Sequence, residues 1–284
     1  MSTALVARRK AVNAVFIAGT AIATLIALAA LGFIFYSLFV QGIGGLSLDI
    51  FTKGTPAPGS QGGLANAIIG SIKMCATGMA IALVVGVLAG TWLAEIGGDS
   101  HYGHVVRFMN DVLLSAPSIL VGLAVYAVIV KPEFSPVRGF SGWAGALALS
   151  LLAMPIVTRT TEDILNLQPH TLREAGMALG ASQSITVRKI IWKAAGAGLM
   201  TGGLLGFARI SGETAPLLFT ALNNQFFSKM SQATASLPVV IFNFAMSAYD
   251  DWRRLAWAGA LLIAAAVLTV TIVARLLARE QRRS

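Results

Sequence analysis

Apolar residues in this chain fall in long unbroken blocks rather than in alternation. Six windows, roughly 13–40, 65–95, 108–130, 142–165, 197–221 and 255–278, are long enough to carry helices across a hydrocarbon core, which takes about 20 apolar residues. A membrane barrel would need alternating strands, and these blocks are continuous. The first window exceeds a signal-peptide core in length and has no clear small-residue cleavage site after it, so it reads as a retained first helix. The pattern therefore predicts an all-α polytopic membrane protein with six transmembrane helices. It forms a single domain over 1–284, with its core at roughly 65–278. Two longer segments lie outside the windows, at roughly 166–196 and 222–254, and Pro117 is expected to bend the third span.

Composition agrees with that reading. Hydrophobic residues make up 56% of the chain and charged residues only 12%, against about 25% charged in soluble domains. The net charge of +9 suggests nucleic acid at first sight, but its distribution favours a membrane explanation. With the N-terminus placed inside, the inner segments hold Arg8, Arg9, Lys10, Arg107, Arg159, Arg173, Arg188, Lys189, Lys193, Arg275, Arg279, Arg282 and Arg283. The outer segments hold Lys53, Lys131, Arg138, Lys229, Arg253 and Arg254, with Asp49, Glu133, Asp250 and Asp251 among them. Excess Lys and Arg mark the cytoplasmic side, which puts both termini in the cytoplasm. The lone Cys75 cannot form an intrachain disulfide.

The inner segment "QPHTLREAGMALGASQSITVRKIIWKAA" carries the strongest local signals. Thr171 and Glu174 have capping-box spacing. Gly180 stands where a helix end takes a left-handed residue, and Ser182 is placed to cap a second helix. The expected unit is helix, sharp turn, helix, with Leu172, Ala175 and Leu179 on one face. A face of that kind needs a partner, or else lies on the chain's own spans or on lipid headgroups.

Two cations fall inside spans. Arg209, in "GFARISGETAPLL", lies about 18 Å along its helix from the inner end at 1.5 Å per residue. A charge at helix centre costs about 2.5–3.5 kcal/mol on insertion scales. Glu213 follows four residues on, in the less favourable order for a helical ion pair, and Gly212 and Pro216 weaken the helix around it. The pair either lines a pathway, where a guanidinium fork suits an oxyanion, or neutralises itself for packing; the two roles are compatible. Lys73 either snorkels toward the outer surface or makes a second anion contact. Asp111 and Glu162 are expected to face water or a partner. His101 and His104 lack a third ligand nearby for zinc, and Ser115 and Ser118 lack a neighbouring base. There is no G-x-x-x-x-G-K-[ST] sequence to cradle ATP phosphates, so the chain is read as a transport subunit without an ATP site of its own. Segment 222–254, with Phe226, Phe227, Phe242, Phe244, Tyr249 and Trp252, reads as an interfacial aromatic belt or as a docking surface.

The run "EAGMALGA" followed by Ile190 resembles the EAA motif of type I ABC importer permeases. Glu174, Ala175, Gly180 and Ile190 are in register, Gly176 stands for the second Ala, and Trp192-Lys193 replace Leu-Pro. Together with "MPIVTRTTEDILNLQPH", "ARISGETAPLLFTAL" and "ASLPVVIFNFAMSAYDDWRRLAWAGALL", it resembles the phosphate-specific permease family PstA over most of Met154–Leu262. The resemblance implies a six-helix type I importer permease fold and ATP-driven import of inorganic phosphate. It also implies a PstC-like sister permease, a PstB-like ATPase dimer that uses ATP and Mg, a periplasmic phosphate-binding protein, and a place in the bacterial inner membrane. By the same resemblance, Glu174, Ala175, Gly176 and Gly180 form the coupling helix that meets the ATPase, with small residues at 175 and 176 allowing close approach. Arg209 and Glu213 match positions implicated in transport. Import of molybdate or sulfate, and ion-gradient-driven transport with Glu213 as proton carrier, remain alternatives.

Overall fold

The computed structural model describes residues 3–132 and 139–281. Glu133, Arg138, Arg282 and Arg283 of the charge comparison lie outside the described residues, as does the side chain of Arg279. Besides a single turn at Asp49–Thr52, the regular elements among the described residues are helices. They are α1 (Thr3–Gly45), α2 (Ala65–Gly97), α3 (His101–Ser115), α4 (Ser118–Val130), α5 (Gly142–Asn166), α6 (His170–Ala178), α7 (Gln183–Ala194), α8 (Gly196–Ser211), α9 (Ala215–Thr220), α10 (Leu237–Ala245) and α11 (Asp250–Gln281). Helices α1, α2, α5 and α11 are long and apolar enough to cross a membrane unbroken. The bent pairs α3–α4 and α7–α8 raise the number of spans to six if each counts as one.

Two predicted windows are therefore not straight spans. The proline at 117 produces more than a bend: α3 and α4 meet at 107°. Ala116 and Pro117 are both extended, with ψ of 134° and 131°, because the residue before a proline is driven out of the helical region. The window 197–221 also divides. Helix α8 ends at Ser211, and Pro216 sits in the first turn of α9. In a continuous helix its ring would clash with the carbonyl four residues back, so the chain breaks over Gly212–Thr214.

Helix α5 is the centre of the bundle, and glycine faces bring its neighbours close. On α2, a Cβ at Gly78 would lie 2.8 Å from the Ala146 carbonyl oxygen, and one at Gly86 would lie 2.8 Å from Val157 Cβ. On the other side, a Cβ at Gly202 of α8 would lie 2.9 Å from Thr160 Cβ. Small residues let helix backbones approach where lipid supplies no hydrophobic drive for association. Met74, Leu149, Leu152, Val157, Ile210 and Leu217 fill the core between these helices.

The end of the bundle where α2 enters is called distal here, and the end carrying α6 and α7 proximal. Distally, the Asn66 side chain ties the loop before α2 to the loop after α9: it accepts from Thr55 N–H (3.0 Å) and donates to the Asn224 carbonyl (2.8 Å). The irregular run 221–236 bonds onto the start of α5, with Trp143 N–H donating to the Met230 carbonyl (3.1 Å). The ends of the run are buried, at Ala221 and at Thr234, Ala235 and Ser236, while Leu222, Gln225, Phe226, Phe227, Lys229, Ser231 and Gln232 between them are exposed. Helix α1 stands apart over most of its length. It meets α11 near its distal end, where a Cβ at Gly42 would lie 2.7 Å from Leu261 Cβ.

Candidate functional site

Arg209 occupies the last turn of α8, and Glu213 lies just past the helix end, its N–H donating to the Ile210 carbonyl (3.2 Å). Their side chains form an ion pair between Arg209 Nη1 and Glu213 Oε1. The rule for residue order along an intact helix does not govern this pair, because the helix has ended between its members. The burial is unequal: the Glu213 side chain is 8% exposed and that of Arg209 is 44% exposed. A buried carboxylate thus anchors a guanidinium that keeps an open face. Thr201, Leu205, Ala208 and Arg209 form the uncovered face of α8.

Lys73, on α2, is exposed and makes no ion pair or hydrogen bond among the described residues; the structure does not join it to Arg209 or Glu213. A cavity of about 370 Å³ lies nearby, between α2, α8, α10 and α11, lined by Ile72, Cys75, Phe207, Leu262 and Val267 among others. Its wall is almost wholly apolar and carries no charged side chain. Two polar groups on its wall are already engaged: Ser71 Oγ accepts from Leu237 N–H (2.7 Å) and Ser211 Oγ donates to the Ala208 carbonyl (3.1 Å).

At the proximal end, α6 and α7 form the predicted helix–turn–helix. Gly180 has φ +79°, and the Gly180 and Ala181 N–H groups bond to the carbonyls of Met177 and Gly176 (2.9 and 3.2 Å), closing the helix end. The capping box is absent. Helix α6 starts at His170 after Pro169, so Thr171 lies inside the first turn and cannot act as N-cap. Ser182 does stand at the N-cap of α7, but its side chain makes no cap bond; its carbonyl instead accepts from Thr186 N–H (2.9 Å).

Glu174 and Ala175 are exposed, as are Met177, Ala178 and Leu179. Gly176 is buried, and a Cβ there would lie 2.6 Å from Thr186 Cγ2 and 2.9 Å from Ile190 Cδ1. Its small size therefore serves packing within the chain rather than approach by a partner. Leu172 also turns inward, against a cluster of Leu165, Ile191 and Ala195. The outward apolar surface is thus Ala175, Met177, Ala178 and Leu179, and the face expected to join Leu172, Ala175 and Leu179 is divided between the chain's interior and its surface.

Two buried ion pairs at this end escaped sequence reasoning. Arg173 pairs with Glu95 (Nη2 to Oε1, 2.6 Å), and Arg107 pairs with Glu162 (Nε to Oε1, 2.6 Å). Glu162 was expected to face water or a partner; it is 5% exposed, facing α3 inside the bundle because Arg107 neutralises it. Asp111 is exposed, as expected. The partners are 78 and 55 residues apart, so no local spacing marks them. An acidic residue within an otherwise apolar span is the one available signal.

The sequence matches the family model described as "Binding-protein-dependent transport system inner membrane component" over residues 82–283. It is 50% identical over 275 residues, 96% of each chain, to a Haemophilus influenzae protein named phosphate transport system permease protein PstA. A Pasteurella multocida protein of the same name is 49% identical over 94% of this chain and 95% of its own. Among solved structures, the inward-facing MetNI methionine ABC transporter superposes with a TM-score of 0.63 at 17% identity, over 76% of this chain and 94% of that one. At that identity the likeness is one of fold.

Proposed function

This chain belongs to the family of binding-protein-dependent transport system inner membrane components, and from that premise we propose that it is the PstA-type permease subunit of an ATP-driven inorganic phosphate importer. The near full-length likeness to phosphate transport permeases carries the substrate assignment. The geometry supports it: Arg209 presents an open guanidinium face, and a planar fork of donors matches a phosphate oxyanion. Glu213 holds that guanidinium in place between substrates, which keeps anion binding weak enough for release.

The proximal end is cytoplasmic in this reading. Exposed Glu174, Ala175 and the neighbouring Met177–Gly180 surface form the contact with a PstB-like ATPase, which uses ATP and Mg on behalf of the whole complex. A PstC-like sister permease covers the open face of α8 and supplies the other half of the pathway. A periplasmic phosphate-binding protein docks at the distal end, where 222–254 lies. The chain is a multi-pass protein of the bacterial inner membrane with both termini inside, and it performs no chemistry itself. Motion begins when ATP closes the ATPase dimer and moves α6; the helices then rock to open the pathway outward, and hydrolysis returns it inward.

Uptake of labelled phosphate by proteoliposomes holding the full complex tests the proposal. Saturable uptake that requires ATP and loaded binding protein, and that resists competition by sulfate and molybdate, is expected. Uptake without ATP, abolished by an uncoupler, would replace this reading with gradient-driven transport.

A further inference from the structure

We propose that Arg173 and Glu95 form the mechanical link by which movement of α6 reaches α2. This inference rests on the reading that α6 meets the ATPase. Arg173 directly precedes the exposed Glu174, yet its side chain turns into the bundle and is only 17% exposed. It engages all three nitrogens of its fork. Nη2 and Nε reach Glu95 Oε1 and Oε2 (2.6 and 3.0 Å), Nη1 donates to the Gln168 carbonyl (3.0 Å), and Nη2 also donates to the Leu165 carbonyl (2.9 Å). The last two acceptors lie at and just beyond the C-terminus of α5, where helix carbonyls lack partners. One side chain on α6 therefore grips the ends of both α2 and α5.

Glu95 is placed for this role. It lies in a π-turn, Leu93–Gly97, that ends α2, and such turns recur at functional positions. From there α2 runs without a break to Cys75 and Ala76, which share a cavity wall with Phe207 and Ser211 of α8, the helix that carries Arg209. The neighbouring Arg107–Glu162 pair ties α3 to α5, and Arg107 Nη1 also donates to the Gly98 carbonyl (2.7 Å), but among the described residues that pair makes no hydrogen bond to α6. A buried pair is weak evidence for stability, since apolar residues of equal volume often replace one at no cost. Its value here lies in fixing α6 against α2 in one orientation.

The test uses the complete transporter in proteoliposomes, with Glu95→Gln, Arg173→Lys, and the exchanged pair Glu95→Arg with Arg173→Glu. The Glu95→Gln complex is expected to retain its ATPase on purification and its unstimulated hydrolysis. Binding-protein-stimulated hydrolysis and phosphate uptake both fall about tenfold, within the usual range of coupling between sites. Arg173→Lys behaves similarly, because an ammonium cannot span the fork, and the exchanged pair recovers part of the loss. Wild-type uptake by Glu95→Gln overturns the inference. So does a loss of uptake that only tracks a loss of bound ATPase, since the pair would then serve folding alone. Glu174→Arg separates the two levels of argument. If that variant keeps its ATPase, the reading of α6 as the docking helix fails; if it loses the ATPase while Glu95→Gln transports normally, only the link fails.

Discussion

Arg209–Glu213 and Arg173–Glu95 are both arginine–glutamate pairs, yet they differ in almost every physical respect. The first is local, four residues apart across the end of α8, and its arginine is 44% exposed. The second joins residues 78 apart, and its members are 17% and 6% exposed. In the first, the carboxylate is buried and the guanidinium keeps an open face that a ligand can approach. In the second, all three guanidinium nitrogens have partners within the chain, which engages four of the five N–H donors on a side chain that is largely buried. The contrast separates a cation held ready from a cation used as a fastener. Composition alone would class them together.

Substitutions should separate the two pairs in order of effect. Arg209→Ala removes charge-assisted contacts worth about 1.5–3 kcal/mol each, so phosphate uptake is expected to fall by about a hundredfold, while binding-protein-stimulated ATP hydrolysis persists. Steady-state uptake measured beside hydrolysis checks this. Glu95→Gln, at about a tenfold loss, affects both readouts together. Glu213→Gln frees the guanidinium without removing it; the expected change is a few-fold slowing of phosphate release, since a guanidinium without its carboxylate partner holds the anion longer. Single-turnover release kinetics measure it, and unchanged uptake and release would remove Glu213 from the mechanism. Smallest is Gly180→Ala, which places a side chain in the left-handed region at a cost of about 1 kcal/mol. Thermal unfolding of the complex should shift slightly.

The sequence revealed structure wherever a signal was local or rested on composition. Continuous apolar blocks marked α2, α5 and α11 to within a few residues at most ends, and Gly180 marked the turn between α6 and α7. Arg209 and Glu213 stood out because charge is conspicuous among Leu, Phe and Gly. What could not be read depends on pairing across the fold. Glu95 and Arg173 belong to different blocks, and neither has a neighbour that points to the other. The glycines of α2 and α8 gain their meaning only once α5 lies between them. The capping box failed for a simpler reason: Pro169 starts the helix earlier than Thr171 can cap it. Leu172 was grouped with Ala175 and Leu179 on one face, and periodicity identifies a face without saying which way it points.

The most direct test of the account is the number of phosphate ions moved per ATP hydrolysed by the complete transporter, measured for Arg209→Ala and Glu95→Gln side by side. The account predicts that Arg209→Ala hydrolyses ATP in response to loaded binding protein but moves almost no phosphate, while Glu95→Gln loses stimulated hydrolysis and uptake together. Phosphate uptake at the wild-type rate by Arg209→Ala would contradict the assignment of Arg209 to the pathway.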